Sequence, residues 1–239
     1  MSTRSQQFEK QAGSVHPATI KLTWSNNDNT FKVYNKASKT TTLASLPMRF
    51  MVIDNYNTIT GWCEKSECSY YSNEIKNVNK DMLTVKAGTA TVAAGLYPAI
   101  KDSLSAMGAK YAESIYVMLE DGTLANIILA GSNCAAWFTF KAEAKANIVK
   151  QWVGMGNPQK QKKGNITWSV PEIKLLEAIS DEDANKADNA YEAIQEYKAG
   201  ITTSEITMGG ETKLTLDEIL KSRVSENSDT NNLIDDLPF

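Results

Sequence analysis

Apolar and polar residues alternate along much of the first 170 positions, which is the period of β-strands that bury one face. Residues 20–25 and 31–36 show it most clearly, and in the second segment Lys32, Tyr34 and Lys36 share the polar side. Residues 48–62 read as one long β segment with predicted bends at 54–55 and at Gly61. A strand of this length suits a small barrel, where it serves both halves of the closed sheet. Shorter strands are predicted at 68–71 and 82–86.

After Pro98 the period changes to that of a helix, with the apolar positions 100, 104, 107 and 111 on one face. Two strands, 114–120 and 123–130, then flank Asp121-Gly122, a strong hairpin signal. In 131–152 the alanines favour helix and the aromatic run 137–140 favours strand. We predict a strand there that gives way to a helix ending near Gly154. Residues 154–164 are predicted as a loop and 165–170 as a last strand.

Beyond Pro171 the β signal disappears. Residues 184–199 predict a helix with Gly200 as its C-terminal cap, and a capping box that begins at Thr215 predicts a short helix through about residue 224. Residues 225–232 contain no large apolar side chain and are expected to be disordered. We therefore divide the chain into a flexible N-terminus (1–17), a folded domain (18–202) and an acidic tail (203–239).

The order of these elements predicts the fold class. Several strands, one helix between them, a central hairpin and a closing strand fit a five-stranded β-barrel of the OB type. We expect a mainly β (α+β) protein: an elaborated OB-fold barrel with accessory helices and a disordered acidic C-terminal tail.

Composition excludes several kinds of site. His16 is the one histidine, which leaves little room for a His-based triad or a His-rich metal site. Cys63 and Cys68 have the spacing of half a zinc site, but no second Cys/His pair completes it, so two ordinary thiols are favoured. Glycine-rich phosphate loops of the Walker or dinucleotide type are missing. We expect a protein that is not an enzyme and that uses neither a metal nor a cofactor.

The sequence also predicts the compartment. No apolar run approaches the roughly 20 residues that cross a bilayer, and residues 1–13 lack the pattern of a signal peptide. Three cysteines without a framework spacing fit a reducing environment. We expect a cytoplasmic protein with no membrane partner.

Charge is distributed unevenly. Residues 1–170 carry 19 Lys and Arg against 12 Asp and Glu, a net charge of +7. Residues 171–202 and 203–239 each carry 3 against 8, a net charge of −5 for each segment. A basic body suggests an anionic ligand, and an acidic rear suggests an arm that competes with that ligand or recruits partners. Chance asymmetry on a solvated surface is the alternative.

Lysines and arginine interleave with aromatic residues in the body, and this combination suits single-stranded nucleic acid. Phosphates require positive charge, and unpaired bases expose faces that stack on aromatic rings. The alternative is that most of these rings are core, and we expect only a minority to contact a ligand. The stacking candidates are Trp24, Tyr34, Phe50, Tyr56, Trp62, Tyr70, Tyr71 and Trp168, and the phosphate-binding candidates are Lys21, Lys32, Lys36, Lys39, Arg49, Lys65, Lys160, Lys162 and Lys163.

The C-terminal residues are Asp235, Asp236, Leu237, Pro238 and Phe239. They combine a terminal carboxylate, flanking acids and an apolar ring in a chain that proline keeps extended. A basic pocket with an apolar floor would bind such a peptide. An acidic solubility tail, the alternative, does not explain two large apolar residues at the extreme end. We predict a partner-docking tip.

With this tip and its basic body, the chain resembles the single-stranded DNA-binding proteins of bacteriophages and bacteria. In that family an OB-fold core precedes a flexible acidic tail that typically ends Asp-Asp-Ile-Pro-Phe. Residues 235–239 match that tip with leucine in place of isoleucine, and Ile234 stands where bacterial tips usually carry another acid. The core is longer than the compact bacterial domain and closer to the larger phage proteins.

The resemblance implies sequence-independent binding of single-stranded DNA in replication, recombination and repair, in the cytoplasm of a phage-infected bacterium. It implies a tip that docks a polymerase, helicase or primase. The basic body and acidic tail add the hypothesis that the tail lies across the basic groove when DNA is absent. The resemblance carries over no individual DNA contact in the core. Oligomeric state is left open, with a homo-oligomer as one option.

Three alternatives remain at this point. One is an RNA-binding or strand-annealing protein with a similar barrel. Another is a nuclease that binds Mg²⁺ through carboxylates, although its candidates Asp54, Glu64, Glu67 and Asp121 show no motif spacing. The third is a non-catalytic virion or scaffold protein whose tail is merely acidic.

Overall fold

A computed structural model of the protein describes residues 16–64 and 66–208. Val15–Glu196 form one compact unit, and every interaction described below lies within it. The second unit contributes Tyr197–Met208 to the described residues, and these form the C-terminal part of the last helix.

The described residues are mainly β and form one mixed sheet of eleven strands. The strands are β1 (Ile20–Ser25), β2 (Thr30–Asn35), β3 (Thr40–Leu43), β4 (Met48–Cys63), β5 (Cys68–Ser72), β6 (Leu83–Ala87), β7 (Ala90–Gly95), β8 (Lys110–Leu119), β9 (Leu124–Ala130), β10 (Gln151–Lys163) and β11 (Ile166–Ala178). Their order is β3-β2-β1-β9-β8-β4-β5-β6-β7, with β10 joined to β4 and β11 joined to β10. The β1–β9 pair is parallel and the other pairs are antiparallel.

Three α-helices, α1 (Tyr97–Ala106), α2 (Ser132–Ala144) and α3 (Asp181–Met208), and a 3₁₀ helix (Lys145–Val149) complete the described part of the chain. Proline near the start of α1 fits the first turn, where its missing N–H is not needed. At the start of α3 the Ser180 hydroxyl accepts a hydrogen bond from the Asp183 amide at 3.1 Å and donates one to the Asp183 carboxylate at 2.8 Å. The Ser180 hydroxyl thus caps a free N–H group in the first turn of the helix.

Strand β4 organises the sheet. Its 16 residues pair with β8 along one edge, from Phe50 to Thr60. The other edge pairs with β10 near its start and with β5 from Thr60 to Cys63. One strand therefore links the two parts of the sheet that carry separate cores.

In the described residues, three apolar clusters pack the helices against the sheet. The first lies where β1, β2, β8 and β9 pack against α2, around Ile115 and Trp137. The second lies beneath β5 and β6 against α1, around Tyr70 and Leu104. The third lies on the opposite face of β4 and β8, where Ile194 of α3 packs near Tyr116.

The predicted strand-to-helix transition in 131–152 is wrong. Residues 137–140, which strand propensity favoured, lie in α2. Cys134, Trp137 and Ala144 recur at helical spacing and are buried, so packing of that face outweighs the aromatic preference for strands.

The predicted loop at 154–164 is also wrong, because these residues belong mostly to β10. Gly154 and Gly156 do not form a turn; they allow other residues to pack closely against the β10 backbone. A Cβ on Gly156 would lie 2.8 Å from Cβ of Pro47, and one on Gly154 would lie 3.3 Å from Leu176. Pro158 falls in the register shift between Gly156 and Gln159, where a missing N–H costs no ladder bond.

Most of the other predicted helices and strands are present in the structure. The Asp121-Gly122 hairpin and the strands of the first 90 residues are confirmed, although β3 and β7 were not predicted. The helix near Pro98 is confirmed but ends at Ala106, so Tyr111 lies in β8. The last strand continues beyond its predicted end at 170 to Ala178. The helix predicted at 184–199 is confirmed, but Gly200 does not end it, since α3 continues to Met208. The predicted helix at 215–224 and disordered run at 225–232 lie outside the described residues. Among the described helices, none is long and apolar enough to cross a membrane.

Replacing Ile115 with alanine tests the central core. Ile115 is fully buried on β8, and such a deletion costs roughly 2–5 kcal/mol of unfolding free energy. Val92→Ala on the exposed strand β7 is the matched control and is expected to stay within about 0.5 kcal/mol. Urea denaturation measures both, and equal losses in the two variants would contradict the assigned core.

Candidate nucleic-acid interface

One row of paired residues crosses four adjacent strands at the C-terminal end of β4. Lys110 of β8 pairs with Thr60 of β4, Thr60 with Tyr71 of β5, and Tyr71 with Lys86 of β6. Directly paired residues point to the same side of a sheet, and so do residues two apart on one strand. Trp62 therefore shares this side, which we call the Trp62–Tyr71 face.

The two rings of this face are open to solvent. Trp62 is 57% exposed and Tyr71 is 49% exposed, whereas their chain neighbours Cys63 and Tyr70 are buried in the cluster beneath. The Tyr71 hydroxyl donates a 2.6 Å hydrogen bond to the Gly88 carbonyl. Two exposed rings therefore lie on a sheet whose opposite side packs on an apolar core, with Lys110 and Lys86 at the ends of the row.

Gly61 permits this arrangement. Its φ is +144°, and a Cβ there would lie 2.9 Å from the Gly108 carbonyl oxygen. Only glycine accepts both that backbone conformation and so close an approach. The start of β8 can therefore lie against β4 between Thr60 and Trp62.

The β4–β5 turn adjoins the face. Cys63 and Cys68 pair directly across it, and the Ser66 hydroxyl lies 2.9 Å and 3.3 Å from their two sulfurs. Neither cysteine forms a disulfide. Lys65, a predicted phosphate ligand, lies outside the described residues.

A second basic surface is the hairpin formed by residues 157–169, which we call the β10–β11 arm. Lys160, Lys162 and Lys163 are exposed on it. Ile166, beside the turn, has the greatest exposed fraction among the large apolar side chains of the described residues. Trp168 is half-buried, pairs with Gln161, and its buried indole N–H has no hydrogen-bond partner.

Burial removes three of the predicted stacking residues from this role. The rings of Phe50, Tyr56 and Tyr70 are all at most 5% exposed and belong to the core clusters. Trp24 is half-buried edge-on against Phe31, with ring centroids 5.0 Å apart. The three core rings are not accessible in this structure. Alternation did not reveal this, because it cannot distinguish a side of the sheet that faces solvent from one that is covered.

Two predicted phosphate ligands, Arg49 and Lys36, form contacts within the protein. Arg49 forms ion pairs with Glu120, at 3.0 Å, and with Glu177, and lies over the Trp152 ring. Lys36 donates a 2.9 Å hydrogen bond to the Ala18 carbonyl.

Burial lowers the pKa of Lys21, and the nearby Glu74 carboxylate partly offsets this effect. Burial also lowers the pKa of Lys36, assisted by the charge of Lys21. Glu74 in turn accepts hydrogen bonds from Ser114 and, at 2.9 Å, from Tyr116. Lys21 and Lys36 therefore lie within the electrostatic influence of a carboxylate that is itself hydrogen-bonded.

The remaining predicted residues of the front strands are exposed but scattered. Lys32 and Tyr34 lie on the outer side of β2, where Lys32 is 3.9 Å from Asp28. Lys39 occupies the β2–β3 turn with a positive φ of 56°. The C-terminal tip, 235–239, lies outside the described residues.

Sequence reasoning missed a cleft between α1, α2 and the start of β8. Its volume is about 410 Å³, and three rings line it: Tyr97, Tyr111 and Phe138. Lys101 and Lys110 are the charged residues of its lining. Phe138 was missed because residues 137–140 were predicted to form a strand. Tyr111 was missed because it was predicted to lie on a helix.

A partly buried ion pair lies beside two residues of the cleft lining, Cys134 and Phe138. Glu113 is 1% exposed and accepts hydrogen bonds from Asn55 and, at 3.0 Å, from Lys141. Lys141 also lies over the Phe138 ring, 4.8 Å from its centroid. Burial, together with the charge of Glu113, raises the pKa of the Cys134 thiol to about 12, so Cys134 is a neutral part of the lining.

The nuclease candidates are dispersed. Asp54 pairs with Lys76 and accepts a 2.9 Å hydrogen bond from Gln195, Glu64 and Glu67 flank the β4–β5 turn, and Asp121 lies in the β8–β9 turn. Within residues 16–64 and 66–208, no group of three or more His, Cys, Asp or Glu side chains is placed to hold a metal ion. Comparison of the chain with protein-family models, curated proteins and solved structures gave no significant match.

Replacing Lys141 with alanine would leave Glu113 buried without its cation. We expect a loss of unfolding free energy on the order of 2 kcal/mol, below the ~3–5 kcal/mol of a fully buried pair because Lys141 is 30% exposed. Lys186→Ala, which removes an exposed helical ion pair with Glu182, is the control and should change stability little. Thermal or urea unfolding measures both; indistinguishable losses would refute the role assigned to Glu113.

Proposed function

We propose that the protein binds single-stranded DNA without sequence preference, by stacking bases on the Trp62–Tyr71 face and neutralising phosphates with the lysines beside it. The carrying observation is that Trp62 and Tyr71 are exposed rings on one side of the sheet, and that Lys110 and Lys86 end the row of paired residues to which Tyr71 belongs. Every base has a π-face, so stacking on fixed rings tolerates any sequence, and the adjacent cations meet the backbone.

The β10–β11 arm supports the same proposal. Its residues 157–169 include three lysines and no acidic residue, so it offers a positive ribbon to a phosphate backbone. The arm extends from the β10 segment that pairs with the start of β4, whereas the Trp62–Tyr71 face lies at the other end of that strand. Two separated basic contacts suit a ligand that is long and flexible.

The proposal extends to properties that the resemblance suggested. The core is of the OB type, with β4 as the long strand that both halves of the sheet share. The protein coats DNA during replication, recombination and repair in the cytoplasm of a phage-infected bacterium, and is not an enzyme. The acidic tip at 235–239 docks a polymerase, helicase or primase.

Binding to oligo-dT carrying a fluorescent label tests the interface by anisotropy. Trp62→Ala and Tyr71→Ala should each raise Kd by roughly 5- to 150-fold, since a stacked base contributes about 1–3 kcal/mol. Tyr191→Ala, which removes a 46% exposed ring from the acidic helix α3, is the matched control and should leave Kd unchanged. Equal effects of all three changes, or no binding by the wild type, would refute the proposal.

The salt dependence of the same titration separates stacking from charge. Lys86→Gln and Lys110→Gln should each reduce the slope of log Kobs against log salt by about 0.7, the value for one phosphate on a single strand. Trp62→Ala should leave the slope as it is. Competition with oligo-rU distinguishes DNA binding from the RNA-binding alternative, and a duplex-formation assay distinguishes it from strand annealing.

A further inference from the structure

The cleft between α1, α2 and β8 has the size and lining of a small-molecule site. Its volume of about 410 Å³ falls within the roughly 300–1,000 Å³ of such sites. Tyr97, Tyr111 and Phe138 supply aromatic surface, and Lys101 and Lys110 supply positive charge. The lining favours a ligand that is planar and apolar at one end and anionic at the other.

The rings of the cleft are held in place. Tyr97 and Tyr111 have centroids 5.0 Å apart, and Phe138 lies 6.2 Å from Tyr111 with the planes 20° apart. The Tyr111 hydroxyl donates a hydrogen bond to Asn57, which itself donates to the backbone carbonyl of Lys76 at 2.9 Å. With Lys141 also lying over Phe138, the aromatic surface is pre-organised rather than assembled on binding.

Lys110 connects the cleft to the Trp62–Tyr71 face. It pairs with Thr60 at the end of the exposed row, and it also lines the cleft. Tyr111, the next residue, points to the opposite side of the sheet, as alternation requires. A chain that leaves the exposed rings and follows positive charge around the start of β8 therefore reaches the cleft.

We propose that the cleft binds one unpaired nucleobase of the same DNA strand, with the adjoining phosphate on Lys101 and Lys110. This inference rests on the proposed function and assigns it a second contact on the other face of the sheet. A nucleotide matches the lining because it joins a planar ring to an anion. The neutral Cys134 thiol adds no opposing charge. The bound strand bends around the start of β8, with Lys110 neutralising a phosphate at the bend.

Photocrosslinking locates the bases directly. A series of dT oligomers, each with 5-iodouracil at one position, is irradiated with the full-length protein, and the crosslinked residues are identified by mass spectrometry. We expect crosslinks to Trp62 or Tyr71 at some positions, and to Tyr97, Tyr111 or Phe138 at others a fixed number of nucleotides away. Crosslinks at the Trp62–Tyr71 face without any in the cleft would overturn this inference and leave the proposed function standing. Absence of binding would overturn both.

Affinity provides the second readout. Phe138→Ala removes an exposed ring, and Lys101→Gln removes an exposed cation, so neither opens the core. Each should weaken binding of a long dT oligomer, the first by at least about fivefold, the lower limit for one stacked base. Tyr191→Ala is again the control. Wild-type affinity in both variants would overturn the inference, whatever the Trp62→Ala variant shows.

Discussion

The backbone pairing of β4 is the constraint on which the rest of the fold depends. Backbone N–H and C=O groups in a sheet must find partners, and β4 finds them in β8 along one edge. On the other edge it pairs with β10 near its start, with Ile75 at Asn57 and with β5 near its end. Because side chains alternate along it, one strand supplies apolar residues to the cores and still presents Trp62 to solvent. The proposed interface is a consequence of this pairing.

Burial determines which cations are available to a ligand. Lys21, Lys36 and Arg49 were among the predicted phosphate ligands, yet the first two lie near Glu74 and the third pairs with two glutamates. A charge taken from water must be compensated within the protein, so these three groups are engaged by the protein itself. Lys110 and the lysines of the β10–β11 arm are exposed and remain accessible to a ligand.

Sequence pattern predicted strands, the first helix and the β8–β9 hairpin because local period and turn chemistry fix them. It failed where tertiary contacts decide. Gly154 and Gly156 looked like loop residues, but they allow β10 to pack closely against Leu176 and Pro47. Trp62 and Tyr71 were among the predicted stacking residues, whereas Lys86 and Lys110 were not, because their proximity arises from strand pairing between distant segments. Aligning β4 and β5 across the turn at 63–68 would have brought Trp62 and Tyr71 together.

Hydroxyl-radical footprinting, which measures side-chain accessibility through oxidation rates, tests the central claim most directly. The protein is oxidised alone and saturated with oligo-dT, and each residue is quantified by mass spectrometry. The account predicts that oxidation of Trp62 and Tyr71 falls several-fold in the complex, while Tyr191 on α3 is oxidised at an unchanged rate. Unchanged oxidation of Trp62 and Tyr71 in a saturated complex would show that DNA binds elsewhere and would contradict the account.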